Sequence, residues 1–152
     1  MPLFLLLILI LTSCSRRTVE KKIIYEKPIL LEKIIPGIIP EAIIQKAEKK
    51  YGMYARNRYE AFNAKLHELQ NSSTEVKLEK INNFFNNVPY SEDIEIWGQK
   101  DYWATPLEFL GQDKGDCEDY VIAKYFSLRN LGIESEKLYF SYVKSRDFKR
   151  LH

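Results

Sequence analysis

The sequence offers little to the commonest metal and nucleotide chemistries. Only two cysteines and two histidines occur in 152 residues. They form neither a CxxC pair nor an HExxH motif, which removes the commonest zinc readings. None of the six glycines builds a phosphate-binding loop, so the usual nucleotide signatures are absent as well. Neither sign of charge dominates: 23 Lys and Arg stand against 21 Asp and Glu, a net +2. That balance gives no electrostatic case for nucleic acid, and none is expected as a partner. No internal repeat is visible. The one long apolar run opens the chain, MPLFLLLILI, and is too short for a resident spanning helix. What is present is 45% apolar and 13% aromatic, enough for a folded core and against disorder. The length suits one domain and is too small for two separate cores.

The apolar run ends in Leu11, Thr12, Ser13 and Cys14. A short apolar stretch followed by small residues is the pattern of a cleaved export signal. The order aliphatic, small, small, Cys also resembles the lipobox of bacterial lipoproteins. That resemblance implies cleavage before Cys14, a lipid on its sulfur and a membrane anchor, with Ser15 favouring the outer membrane. An uncleaved anchor is the other reading of the same residues. Residues 1–13 are thus expected to be a lipoprotein signal peptide. Residues 14–40, with Pro28, Pro36 and Pro40, read as a tether, because proline blocks helix continuation. Export to the periplasm means an oxidising compartment. With lipid on Cys14 no disulfide can join the two cysteines, and the thiol of Cys117 becomes a candidate for reactivity.

Residues 41–152 form the expected domain. From Glu41 to about Gln70 apolar residues recur at helical spacing, with Gly52 a candidate break between two helices. Ser72 or Ser73 followed by Glu75 is a capping signal for a third helix whose apolar face carries Val76, Leu78, Ile81, Phe84 and Phe85. The stretch VPYSEDIEIWGQKDYW is expected to be an ordered loop. Thr105 and Pro106 form an N-cap and first-turn pair that starts a short helix closed by Gly111. Asp116 is expected to cap a last helix, ended by Gly132. Cys117, Val121, Tyr125 and Leu128 fall at helical steps and predict a buried stripe. KLYFSYVKS reads as a strand, and DFKRLH as a turn into another.

The chemistry concentrates in QDKGDCEDYVIAKY, residues 112–125. A cysteine in the first turn of a helix feels the partial positive charge of the unpaired N–H groups there, which favours a thiolate. Asp116, Glu118 and Asp119 crowd the same turn and push the other way. A divalent cation reconciles the two, since these carboxylates are hard oxygen ligands of the kind calcium (Ca²⁺) takes six to eight at a time. Two plainer readings stand beside this one. A cysteine on an apolar stripe is often inert core, and acidic residues are common in a first helical turn because the dipole favours them.

The run DYWATPLEFLGQDKGDCEDYVIAKYFSLRNLGI, followed by KLYFSYVK and preceded by VPYSEDIEIWGQKDYW, resembles the bacterial transglutaminase-like cysteine proteinases, the LapG family. The likeness runs from about Asn82 to His152. It implies an α+β fold, a papain/transglutaminase-like core with an N-terminal helical segment and incomplete C-terminal strands. It also implies Cys117 as nucleophile, His152 as general base, and Asp116, Glu118 and Asp119 as ligands of Ca²⁺. Family members are calcium-dependent periplasmic endopeptidases that cut large surface adhesins and so control biofilm attachment. An inner-membrane cyclic-di-GMP receptor sequesters them. The family's orienting Asp and at least one strand fall beyond His152, so a C-terminally incomplete domain is expected, or else a degenerate protein. Two other functions stay open: transglutaminase-type acyl transfer, and an inactive lipid-anchored module that binds calcium or the receptor. His67, among Lys65, Glu68 and Gln70, is given no role.

Overall fold

Gly52 alone separates the first two helices. In the computed structural model, which describes residues 37–141, α1 spans Glu41–Tyr51 and α2 spans Met53–Leu69. Gly52 has a φ of 87°, a region that side-chain-bearing residues rarely enter, so the break falls where the sequence places it. Arg56 then ties the two helices together, reaching Glu41 at 2.8 Å and Glu48 at 3.1 Å. The packing extends back to Ile39, which is buried and exchanges two hydrogen bonds with the Asn63 side chain.

Helix α3, Thr74–Asn86, starts at Ser73, whose hydroxyl accepts from the Val76 N–H. A one-turn helix, α4, spans Asp93–Ile96 inside the stretch expected to be loop throughout. Helix α5, Pro106–Gln112, opens with a reciprocal capping box. Thr105 Oγ1 accepts from the Glu108 N–H, and the Glu108 carboxylate accepts from the Thr105 N–H. Gly111 does not close this helix, contrary to expectation. It lies inside it, where a Cβ would come within 2.5 Å of the Tyr51 ring. The helix ends instead at Asp113, in the left-handed region at φ 56°, which Asp tolerates better than most residues.

Helix α6, Cys117–Asn130, ends as predicted. Gly132 adopts φ 85°, its N–H bonds to Arg129 O and the Ile133 N–H bonds to Leu128 O. That pair satisfies carbonyls the helix end leaves open, and Leu128 and Ile133 are both buried. A row of rings joins the elements through the core. Phe62 of α2 meets Phe85 of α3 at 5.6 Å, Phe85 meets Phe109 of α5 at 5.9 Å, and Phe109 meets Tyr120 of α6 at 4.9 Å. The Tyr59 hydroxyl donates to Leu107 O, and Arg58 caps the end of α5 through Leu110 O and Gly111 O, both at 2.6 Å.

Two expectations about the last elements are corrected. The stripe of Cys117, Val121, Tyr125 and Leu128 is not the buried face of α6: the first three are half-buried. Flanked by α3 and α5, the helix buries Tyr120, Ile122, Ala123, Lys124, Phe126 and Ser127 along with Leu128. The expected strand from Lys137 is also absent as far as Ser141. Ser135–Lys137 form a 3-10 turn, and the residues to 141 follow in irregular backbone. No sheet is present among the described residues; a single parallel bridge joins Tyr90 to Gly115. The leader with Cys14, residues 142–152 with His152 and the second expected strand lie outside the described residues. No described helix is long and apolar enough to cross a membrane.

Candidate active site

The site is built where three loops meet the first turn of α6. The bridge between Tyr90 and Gly115, with Ser91 N–H donating to Gly115 O at 3.0 Å, holds the segment before α4 against the residues just ahead of Cys117. Gly115 has no room for a side chain. A Cβ would sit 2.5 Å from the Phe109 ring and 2.8 Å from an Asp119 carboxylate oxygen. This anchoring sets α4 so that Asp93, only 2% exposed, points at the start of α6.

The loop between α4 and α5 closes the arrangement. Its Tyr102 N–H donates to Asp93 Oδ2 at 2.5 Å, and its Ala104 N–H donates to Asp119 Oδ1 at 2.8 Å. The Trp97 and Tyr102 rings meet in a tilted pair at 4.5 Å at the same loop. The result is a knot of carboxylates. Asp93, Asp116 and Asp119 each bring an oxygen within 4.8 Å of the others, and Asp93, Asp101 and Glu118 form a second such set. Asp116 stands at the N-cap position, as predicted, yet its side chain caps no N–H. It is turned into the acidic knot instead.

Three buried oxygens in this knot, Asp93 Oδ1, Asp116 Oδ1 and Asp119 Oδ2, have no hydrogen-bond partner. Orphaned buried acceptors are uncommon and usually signal something that completes them. The electrostatics agree. Burial, with Glu118 close by, pushes Asp116 up to about 8. Burial likewise pushes Asp119 up to about 7, with Asp93 and Glu118 adding to the rise and the Ala104 N–H opposing it. A hard divalent cation fits this donor set: every candidate ligand is oxygen, several are anionic, and three lack any other partner. Asp93, Asp116 and Asp119 would hold it, with Glu118 and Asp101 at its outer side.

Cys117 shares this turn and is half-buried. The structure therefore brings together Cys117, Asp116, Glu118 and Asp119 of the predicted site, whereas His152 and Cys14 lie outside the described residues. His67 is exposed on α2. Sequence reasoning missed Asp93 and Asp101. No spacing rule links them to residue 116, and the only hint was an acidic, aromatic loop too rich in Trp and Tyr to be a plain linker.

Residues 49–150 match the family described as bacterial transglutaminase-like cysteine proteinase BTLCP. Among solved structures the chain resembles Legionella pneumophila LapG, at 36% identity and a TM-score of 0.54, over 66% of this chain and 56% of that one. The calcium-bound form of the same protein aligns at 38% identity and a TM-score of 0.53, over 64% of this chain and 54% of that one. An EGTA-treated form gives 36% identity and a TM-score of 0.54, over 66% and 54%. The chain thus spans little more than half the length of these structures. No curated protein sequence matches it. The family match over residues 49–150, most of the chain, makes this chain a member of the bacterial transglutaminase-like cysteine proteinases.

Proposed function

We propose that this chain is a calcium-dependent cysteine endopeptidase, with Cys117 as the attacking residue. The observation that carries the reading is the meeting of three orphaned buried carboxylate oxygens at the turn that begins with Cys117. Solved forms of LapG with calcium and after EGTA treatment support calcium as the cation. Calcium, when bound, supplies positive charge that offsets the carboxylates beside the thiol and braces the loop between α4 and α5.

The chain's own residues do the rest. The positive end of the α6 helix dipole favours the Cys117 thiolate. The thiolate attacks the carbonyl carbon of a peptide bond, His152 having taken the thiol proton and later giving it to the departing amine. Water then hydrolyses the thioester and restores the thiol. Substrate, partner and address complete the proposal: a large cell-surface adhesin is cut to release cells from biofilm, an inner-membrane cyclic-di-GMP receptor restrains the enzyme, and lipid on Cys14 anchors it in the periplasm.

The test is cleavage of an N-terminal adhesin fragment by the membrane-anchored protein. New ends should accumulate with calcium, and neither chelator-treated enzyme nor Cys117→Ala should produce them. Cleavage that survives Cys117→Ala would rule the assignment out. Cys14→Ala should abolish lipid labelling of the protein, and unchanged labelling would remove the lipid anchor.

A further inference from the structure

Outside the acidic knot the structure holds an open groove of about 700 Å³, a size suited to a short stretch of peptide. Three separate elements frame it: Lys50 and Tyr51 at the end of α1, Tyr54 and Arg58 on α2, and Asp113 and Lys114 in the turn ahead of α6. Three cations and one carboxylate line this groove. Its charge is thus the reverse of that of the knot around Asp93, Asp116 and Asp119.

The three cations are not equivalent. Arg58 is occupied by the fold: its guanidinium donates to Leu110 O and Gly111 O at 2.6 Å and lies 3.6 Å from Asp113. That pairing also engages the only carboxylate of the lining. Lys65, Lys80 and Lys137 each pair with a glutamate. Lys50 and Lys114, both exposed, have no carboxylate within ion-pair reach among the described residues. Lys50 lies over the Tyr51 ring, 4.7 Å from its centre, which holds the ammonium at the groove wall. Tyr54, 79% exposed, adds an aromatic surface between the charges. An open, concave site of this kind suits an extended chain bearing several carboxylates, and a flat lipid surface would not enter it.

We infer that this groove docks an acidic stretch of the protein substrate, apart from the residues beside the bond to be cut, with Lys50 and Lys114 as its recognition groups. The link to cleavage rests on the reading of Cys117 as the nucleophile. Lys114 stands three residues ahead of Cys117, so their Cα atoms are at most about 11 Å apart. An extended segment held at Lys114 therefore reaches the thiol within about four residues.

The experiment titrates the full chain into fluorescein-labelled oligo-glutamate or oligo-glutamine peptides of equal length, at saturating calcium and low salt, and reads anisotropy. Wild-type protein should bind the glutamate peptide about tenfold more tightly, and added salt should erase the difference. Lys50→Glu and Lys114→Glu should each weaken that binding about fivefold, since reversal removes one attraction and adds one repulsion. Lys80→Glu makes the same change in net charge on α3, outside the groove, and should change the affinity by less than about twofold. All three lysines are exposed, so the variants keep the fold. Equal affinity for the two peptides, or equal weakening by all three variants, overturns the groove as an acidic site. Stronger binding to phosphatidylglycerol vesicles than to neutral ones, lost in Lys50→Glu, would make the face a membrane dock and overturn it too. Cleavage has its own readout: unlabelled oligo-glutamate should raise the KM for an N-terminal adhesin fragment several-fold and leave iodoacetamide alkylation of Cys117 unchanged. Cleavage indifferent to bound oligo-glutamate overturns the substrate role. A thiol that iodoacetamide does not alkylate overturns the protease reading instead, and the peptide titration still decides the groove.

Discussion

Asp93 and Asp119 come from different helices, yet each places a carboxylate oxygen within 4.8 Å of the other, and the N–H groups of Tyr102 and Ala104 hold them there. A fold does not gather buried like charges for stability, because their repulsion and desolvation both oppose it. The arrangement makes sense as a receptor for positive charge, and its cost should be visible whenever that charge is removed.

The pH dependence follows with a definite sign. Asp119 and Asp116 are ordinary carboxyls in the unfolded chain, and in the fold they titrate near 7 and 8. Between about pH 4 and pH 8 the folded state therefore holds more protons than the unfolded one, so stability falls as pH rises through that window. In chelator the melting temperature should drop from pH 5.5 to pH 8, and calcium should reverse the drop. Asp93→Asn should raise the chelator melting temperature at pH 8 by a few degrees, about 1 kcal/mol, and shrink the calcium effect. A chelator melting temperature that climbs with pH would contradict the acidic knot as described.

Lys124 gives a second, independent pH signature. It is 2% exposed, its ammonium donates to Asn86 Oδ1 at 2.5 Å, and it lies 5.8 Å from the Tyr120 ring centre. Burial lowers its pKa to about 8. The unfolded lysine keeps its proton to higher pH, so the penalty is complete below pH 8 and fades as pH rises towards the unfolded value. Lys124→Met should stabilise the protein by about 1–3 kcal/mol at pH 7, with the gain shrinking by pH 10. Denaturant unfolding at the two pH values checks it. A variant less stable at both would show that the bond to Asn86 outweighs desolvation.

Gly111→Ala tests the packing between α1 and α5. The added methyl would meet the Tyr51 ring at 2.5 Å, so a loss of about 1–3 kcal/mol is expected although alanine is the better helix former. Tyr51→Leu in the same chain should recover part of that loss. A stabilised Gly111→Ala protein would mean the ring is free to move aside.

Local signals in the sequence were legible, and contacts between distant segments were not. Gly52, Ser73, the Thr105–Pro106 pair and Gly132 each act through their own turn, so their chemistry reads directly from neighbouring residues. Gly111 reads as a helix end because a glycine kept small by a distant ring looks the same in sequence as one that ends a helix. The stripe through Cys117 misleads for a related reason. Spacing reveals that α6 is amphipathic only if one face is packed, and here neighbours cover most of the helix. Three of the five carboxylates, Asp116, Glu118 and Asp119, were readable in the run around Cys117. Asp93 and Asp101 enter only through the fold, by way of the Tyr90 to Gly115 bridge and the Tyr102 bond.

The central claim is that the carboxylates around Cys117 govern its reactivity through the cation they hold. The direct measurement is the apparent pKa of the Cys117 thiol, from the pH dependence of iodoacetamide alkylation, in chelator and in saturating calcium. Magnesium serves as a control that should substitute poorly, because it is smaller and gives up its water reluctantly. The account predicts a pKa at least one unit lower with calcium, a change of about 1.4 kcal/mol in favour of the thiolate, and the drop should be lost in Asp116→Asn. An identical pKa in chelator and in calcium, with calcium shown to be bound, would contradict it.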